Sequence, residues 1–496
     1  MTDWPPLLAL VIAVPLTGAV LTPAVGRTRP QWAASWALLT MAVTSVMALL
    51  LIVRVAEDGP FSYVVGGWDA PYGIELRFDE FGASVGVICL IGSLAIMFSR
   101  RYATHAIAEA RIPYYYALLL LNLTGMIGFS VTGDLFNLFV FMEILSLSGY
   151  ALVAVSGEKI AEMAAFKYLV MGAISSLVVL FAIGLLYALT GSLNMTDITQ
   201  RLAGAPAAPL AVAFGAMTLG FMVKAAAFPL HIWLPDAHAI APSPVSAILS
   251  GLVVKIGILG MLRMYQIAYG SRAIDMTGLN NVLMWLGALS IVMGAFFAIF
   301  QDDIKMMLAY STISNIGYIV MGLGLASSYG IIGASVHVFN HAIIKATLFL
   351  GAGAIIFQTG KRTLSELAGV GRAMPLTVGA IAVGAVSIVG MPPTAGFLCK
   401  WYIALGAIQA GHPVFAFALV FGALFIFIYY IRMVNAFYFR QPEDPAILEV
   451  GEAPLSMLVP ILILASLCLV MGLLGRIPLS FIEPAALRLL APLGGG

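Results

Sequence analysis

Apolar runs of about 20 residues recur from one end of this 496-residue chain to the other, each long enough to cross roughly 30 Å of hydrocarbon at 1.5 Å per residue. Inside hydrocarbon a backbone must satisfy its own hydrogen bonds, which leaves helices and closed barrels as the only spanning structures. The runs are continuous rather than alternating, and that excludes a barrel. Composition agrees, at 61% hydrophobic and 9% charged against about 25% charged in a soluble domain. The expected fold class is all-α: a polytopic membrane protein of about 14 transmembrane helices with no separate soluble domain. A net charge of +1 with no basic or acidic block argues against nucleic acid as a partner.

The spans are expected near residues 5–25, 32–54, 78–98, 113–131, 134–155, 163–190, 209–232, 242–270, 279–300, 304–326, 330–358, 375–410, 413–438 and 456–476. No charged segment precedes the run from Pro5 to Val25, so it reads as the first span rather than a signal peptide. Loops after odd-numbered spans hold Arg27, Arg29, Arg100, Arg101, Arg111, Lys159, Lys305, Lys361, Arg362, Arg372 and Arg440. Those after even-numbered spans hold only Arg77, Arg201 and Arg272, with Arg476 and Arg488 in the tail. By the positive-inside rule the odd exits face the cytoplasm, which puts both termini on the outer side of the membrane.

Two spans carry prolines that should break them: Pro229 and Pro235 at the end of the seventh, Pro392 and Pro393 inside the twelfth. Proline removes an amide donor and clashes with the preceding turn. Each break lies near a lysine, Lys224 and Lys400, and the breaks fall five spans apart. Five is odd, so this spacing implies two inverted five-helix repeats. The expected division is N-terminal helices 1–3 over 1–112, a first repeat over 113–270, a second over 271–440, and the fourteenth helix with its tail over 441–496.

Within the spans stand Glu143, Lys224, Lys255, His337, His341, Lys345 and Lys400. Each charge near a bilayer centre costs about 2.5–3.5 kcal/mol on the lenient insertion scale, so a set this large points to function. Glu143 lies about 13 Å beyond Asp134 along its helix; Asp134 itself reads as a solvated helix-start residue. Glu143 is either a structural ion-pair partner or the carboxylate that lets Lys224 take and release a proton. His337, His341 and Lys345 are spaced four apart and form one stripe about 12 Å long, suited to relaying protons because histidine titrates near neutral pH. Zinc is the rival reading, yet the stripe holds no carboxylate or cysteine and Lys345 would repel a cation. Lys255 has no polar neighbour in sequence, and Lys400 follows the second break; each must find a carboxylate, reach water or lose its proton. Lys167 lies close to a cytoplasmic end, where it could snorkel.

Cys89, Cys399 and Cys468 sit in apolar stretches without metal-type spacing and read as small packing residues. No Walker loop, dinucleotide fingerprint or iron–sulfur cysteine set is present, so no cofactor and no metal are expected. The chain itself drives nothing by ATP or redox chemistry.

Five segments carry a family resemblance: Gly133-Asp134-Leu135-Phe136-Asn137-Leu138-Phe139-Val140-Phe141-Met142-Glu143, the run from Val223 through Lys224 and Pro229 to Ala237, Ala241 to Ala247, Asp303 to Thr312, and His337 to Ala346. Together they closely resemble the antiporter-like subunits shared by complex I, membrane-bound hydrogenases and Mrp-type cation/proton antiporters. The resemblance covers nearly the whole chain. It implies fourteen helices in two inverted repeats, with Glu143 and Lys224 as the first-half ion pair, Lys255 as the bridging lysine, His337 and His341 as the central relay, and Lys400 as the second-half lysine. About twenty residues follow the fourteenth span, so the largest complex I subunit type, which carries a long lateral helix, is set aside. The segment Gly133 to Glu143 looks most like the D subunit of Mrp antiporters, while the stretch around Asn340 is also similar to hydrogenase relatives.

The resemblance implies a proton-conducting subunit of a heteromeric complex in a bacterial cytoplasmic membrane, exchanging protons for a monovalent cation, with sodium expected. The alternative is a pump subunit of a redox translocase. A stand-alone solute carrier would need an organic-substrate pocket that lysines, histidines and one glutamate do little to shape. Orientation is directly testable: the single variants Arg100→Cys and Arg101→Cys are expected to resist a membrane-impermeant thiol reagent applied to intact cells. Ready labelling from outside reverses the topology.

Overall fold

The computed structural model describes residues 5–270 and 278–490; Arg272, one of the loop arginines used for orientation, lies outside them. The spans are α1 (Pro5–Val25), α2 (Pro30–Asp58), α3 (Ser84–Ala106), α4 (Ile112–Val131), α5 (Leu135–Val153) and α6 (Lys159–Thr190). Next come α7a (Ala207–Ala225) and α7b (Trp233–Ile240), then α8, which runs Ser243–Ile248, a π-turn at Leu249–Val253, and Val254–Gly270. The second half comprises α9 (Leu279–Ile299), α10 (Ile304–Gly324), α11 (Ser328–Thr359), α12a (Pro375–Val389), α12b (Ala395–Gln409), α13 (Pro413–Tyr438) and α14 (Leu455–Leu473). Among the described residues thirteen helices are long and apolar enough to cross a membrane. The twelfth crossing is missing from that count because it is built from two 15-residue halves. The all-α polytopic fold stands, with one addition: an antiparallel hairpin of β1 (Phe61–Val64) and β2 (Glu75–Phe78).

Both proline breaks are present, one not quite where the prolines suggested. The α7 break runs from Ala226 to Ile232 and contains Pro229. Pro235 lies in the first turn of α7b, where a helix needs no amide donor, so it starts the second half rather than breaking the first. The α12 break contains both Pro392 and Pro393.

The two halves match in local detail. Asp134 caps α5 by accepting the Asn137 amide at 2.7 Å, and Asp303 caps α10 by accepting the Met306 amide at 2.9 Å. Each aspartate also forms a β-bridge to the segment after the next long helix, Asp134 to Asn194 and Asp303 to Thr363. Those long helices, α6 and α11, both run 32 residues and end at left-handed glycines, Gly191 (φ 66°) and Gly360 (φ 68°). The lysines do not share this correspondence. Lys224 sits in the last turn before its break, whereas Lys400 sits beyond its own.

Large apolar side chains such as Leu177 and Phe181 on α6 and Phe417 and Val420 on α13 point outward, as a surface solvated by lipid requires. The enclosed spans are α4, α8, α10 and α11. At the α7a contact, α8 comes so close that a Cβ on Gly257 would lie 2.6 Å from the Phe221 carbonyl oxygen and the Ala225 nitrogen. Asp134 is buried as well as capping, which corrects its reading as a solvated residue. Burial raises its carboxyl above the ordinary range despite the amides of Asn137 and Phe136.

The eighth span holds a further buried charge that its apolar length conceals. Arg263 is 4% exposed and forms an ion pair with Asp79, just after β2; its second amino group donates to the other Asp79 oxygen at 3.0 Å and to the Ser130 carbonyl at 2.9 Å. Burial alone would raise the Asp79 carboxyl, but Arg263, Arg77 and the Gly82 amide together hold it below the usual range. A depressed carboxylate contributes stability above its unfolded pKa and loses it as pH falls through the folded value, so the pair persists at neutral pH and fails only in acid. Asp79→Asn leaves Arg263 buried and uncompensated, and is expected to cost about 3–5 kcal/mol. Thermal unfolding in detergent measures this, and the deficit relative to wild type should begin to shrink below about pH 4, the unfolded carboxyl's range, and close only as the depressed folded carboxyl protonates at lower pH.

Candidate functional site

A line of buried polar side chains runs through the enclosed helices. At one end Lys224, 1% exposed, donates to the Ser146 hydroxyl on α5 and lies 5.9 Å from the Tyr150 ring. Glu143 is three residues before Ser146, on the same face of α5, and its Oε1 is buried without a hydrogen-bond partner. The structure therefore brings Glu143 to the neighbourhood of Lys224 but shows the ammonium engaged with Ser146 instead.

Lys255 is buried in α8 and donates to the Ser250 carbonyl in the π-turn. Among the described residues no hydrogen bond joins it to Lys224. From the π-turn onward the connection is continuous. The Ser250 and Thr312 hydroxyls are 2.7 Å apart, and Thr312 donates to the Leu308 carbonyl at 3.0 Å. Lys345 donates to that same carbonyl at 2.9 Å and to the Ser311 hydroxyl at 2.7 Å, which in turn meets Tyr430 at 3.0 Å.

Asn315 gives its amide to the Ser311 carbonyl at 2.9 Å, and its Oδ1 lies 3.3 Å from Nε2 of His337. Nδ1 of His337 lies 2.9 Å from the Cys399 sulfur. His341 stacks on His337 with centroids 5.4 Å apart, and neither of its ring nitrogens has a partner. Lys400 closes the line by donating to the Ile388 and Val389 carbonyls, at 2.7 and 3.1 Å, and lies 4.5 Å from the Tyr318 ring. Those carbonyls end α12a, where the break deprives them of amide partners.

All seven sequence-derived residues thus lie in the interior or at its margin, and five of them, Lys255, Lys345, His337, His341 and Lys400, gather around α10. What sequence reading missed is the polar stripe along α10. Leu308, Ser311, Thr312 and Asn315 recur at helical spacing, and the polar positions of Tyr310-Ser311-Thr312-Ile313-Ser314-Asn315 in an otherwise apolar span were the available signal.

Three other residues sit differently from their sequence expectation, and a fourth, His238, was not singled out in the sequence. Lys305, counted among loop cations, is buried and donates to the Ala241 carbonyl at 2.5 Å. His238 is fully buried on α7b beside the Leu234 backbone, within electrostatic reach of Lys305, Lys345 and Lys255. Lys167 does not merely snorkel: it pairs with Asp236 at 2.6 Å. Cys399 does more than pack, since it touches His337. Among the described residues no three His, Cys, Asp or Glu side chains are placed to share a metal ion.

Fold and interior define a class: polytopic proteins with paired broken helices and a buried lysine–histidine axis. The transmembrane family described as NADH:quinone oxidoreductase/Mrp antiporter matches residues 132–426, and the chain belongs to it. Relatives include the N subunit of the NADH-quinone oxidoreductase of Desulforudis audaxviator, 37% identical over 88% of this chain and 89% of that one. Another is the D subunit of the Na(+)/H(+) antiporter of Alkalihalophilus pseudofirmus, 31% identical over 86% of each. Among solved structures, a chain of the membrane-bound sulfane sulfur reductase, an archaeal respiratory membrane complex, superposes with TM-score 0.90 at 30% identity over 97% of both chains. A chain of the Mrp complex from Dietzia sp. DQ12-45-1b does so with TM-score 0.89 at 26% identity, over 99% of this chain and 98% of that one. The chain is an antiporter-like membrane subunit of the kind found in Mrp and complex I-like assemblies.

Ser146 competes with Glu143 for the Lys224 ammonium. In the Ser146→Ala variant the ammonium loses its neutral acceptor and is expected to move onto Glu143. An experimental structure of the variant in its complex should show the two groups at ion-pair distance; a Lys224 side chain left in place means Ser146 does not hold it.

Proposed function

We propose that this subunit conducts protons along the buried axis, with Glu143 and Lys224 as the first-half exchanging pair, Lys255 as the bridge, His337, His341 and Lys345 as the central relay, and Lys400 as the second-half carrier. The observation that carries this reading is the connected set of buried polar groups from the π-turn at Ser250 through Thr312, Lys345, Ser311 and Asn315 to His337 and Cys399, joined at two points through the Leu308 and Ser311 carbonyls. The Ser250, Thr312 and Ser311 hydroxyls can each donate and accept, and histidine titrates in the physiological range. Cations along one low-dielectric line repel, so a proton gained at one site disfavours charge at the next, and that repulsion moves charge between the halves 113–270 and 271–440.

The exchange partner on this reading is a monovalent cation, sodium, within an Mrp-type complex in which the chain occupies the place of the D subunit. It sits with other membrane subunits in a bacterial cytoplasmic membrane with both termini outside. Support comes from the resemblance of Gly133 to Glu143, the likeness to the named Na(+)/H(+) antiporter subunit and the superposition on an Mrp complex chain. The 37% identity to an NADH-quinone oxidoreductase subunit favours a second reading, the same axis driven by electron transfer in partner subunits. Purifying the native complex and identifying its subunits separates the two, since quinone-reducing partners belong only to the second.

In proteoliposomes holding the complex at matched abundance, Glu143→Gln, Lys224→Ala, Lys400→Ala and His341→Gln are each expected to reduce proton flux to the level of empty vesicles. Glutamine keeps hydrogen-bonding capacity but removes the titrating site. Undiminished flux with an unchanged pH profile in any variant removes that residue from the path.

A further inference from the structure

His337 makes two ring contacts of different character. Asn315 donates its amide to the Ser311 carbonyl, so the oxygen of its side chain is the atom turned to His337; the flipped amide would set two acceptors against each other. That oxygen can only accept, which fixes a hydrogen on Nε2 of His337. A neutral ring then has Nδ1 as an acceptor, and the group facing Nδ1 is the Cys399 thiol, 2.9 Å away. The thiol has a second outlet: its sulfur is 3.2 Å from the Gly396 carbonyl oxygen. The Ala395 carbonyl, 3.8 Å away, already receives the Asn340 amide at 2.8 Å.

We propose that Cys399 is a positioning residue that lets His337 change protonation state without leaving a buried ring nitrogen unpaired. With His337 neutral, the thiol donates its hydrogen to Nδ1. When His337 takes a proton, Nδ1–H donates to the sulfur and the thiol hydrogen turns to the Gly396 carbonyl. The S–H bond never breaks; one proton is added to the imidazole and the thiol only rotates. Asn315 serves both states unchanged, so the proton that comes and goes is the one on Nδ1.

The titratable groups around the ring are Lys400 on α12b, Lys255 on α8, Tyr318 on α10 and His341 on the same helix. They are the neighbours with which His337 would trade its proton. This rests on the relay reading of His337, and the test separates the two.

The experiment compares Cys399→Ala, Cys399→Ser and His337→Gln in the intact complex, by proton flux in vesicles and by the infrared S–H stretching band across a pH series. Alanine removes the rotor and leaves the imidazolium hydrogen unpaired, so flux should fall about ten- to a hundredfold, while serine, another single-hydrogen rotor, restores most of it. The band lost in Cys399→Ala should shift with pH in wild type and stop shifting in His337→Gln. Wild-type flux in Cys399→Ala beside a dead His337→Gln overturns the thiol's role and spares the relay, as does an S–H band indifferent to pH. Full flux in His337→Gln overturns both.

Discussion

A break in a membrane-spanning helix leaves carbonyl oxygens that lipid cannot hydrate, and the architecture follows from how those oxygens are satisfied. At the α12 break the Lys400 ammonium reaches back to the Ile388 and Val389 carbonyls. A positive group at a helix C-terminus also meets the negative end of the helix dipole. The break and the lysine each resolve the other's difficulty: the half-helix gains its missing donor, and the ammonium gains partners without a carboxylate. The first half solves the matching problem differently. Lys224 lies before its break and turns to a serine hydroxyl on α5, within one turn of Glu143. Two halves of like fold thus hold their lysines by unlike means, one neutral and backbone-based, the other poised beside an acid.

Between them α10 joins what the repeats keep apart. Its hydroxyls and amide meet α8 through Ser250, α11 through Lys345 and His337, and α13 through Tyr430. Apolar side chains surround this stripe, so its polar groups have each other in place of water. Under those conditions a hydrogen bond is electrostatically stronger and an unmade one costs more. The His341 ring nitrogens, without a hydrogen-bond partner among the described residues, stand out against that background.

Much of this was legible in the sequence. The fourteen crossings followed from apolar length alone, and the two breaks from Pro229 and the Pro392-Pro393 pair. Buried lysines announced themselves because hydrocarbon tolerates few charges. What stayed hidden depended on side-chain direction. Lys305 sits one residue inside α10, and only the fold shows that it turns inward to Ala241 rather than out to water. Arg263 stands near the end of a span, where arginine can snorkel, and its partner Asp79 is 184 residues away. Serine, threonine and asparagine on α10 carried no charge, so hydropathy passed over the stripe that links the two halves. Likewise the division of labour between Ser146 and Glu143 is a matter of rotamer, which no spacing rule reports.

The π-turn at Leu249–Val253 has a consequence for the phase of α8. A π-turn fits one extra residue into the coil, and everything beyond it is rotated by about 100° relative to an uninterrupted helix. Lys255 is two residues past that turn, and the carbonyl it bonds belongs to the turn itself. With regular geometry the same side chain would leave the helix roughly a quarter-circle away, its ammonium turned off the line of Ser250 and Thr312. The aim of Lys255 is thus written in backbone winding, and shortening this turn by one residue would turn its ammonium away from the Ser250 carbonyl it now bonds.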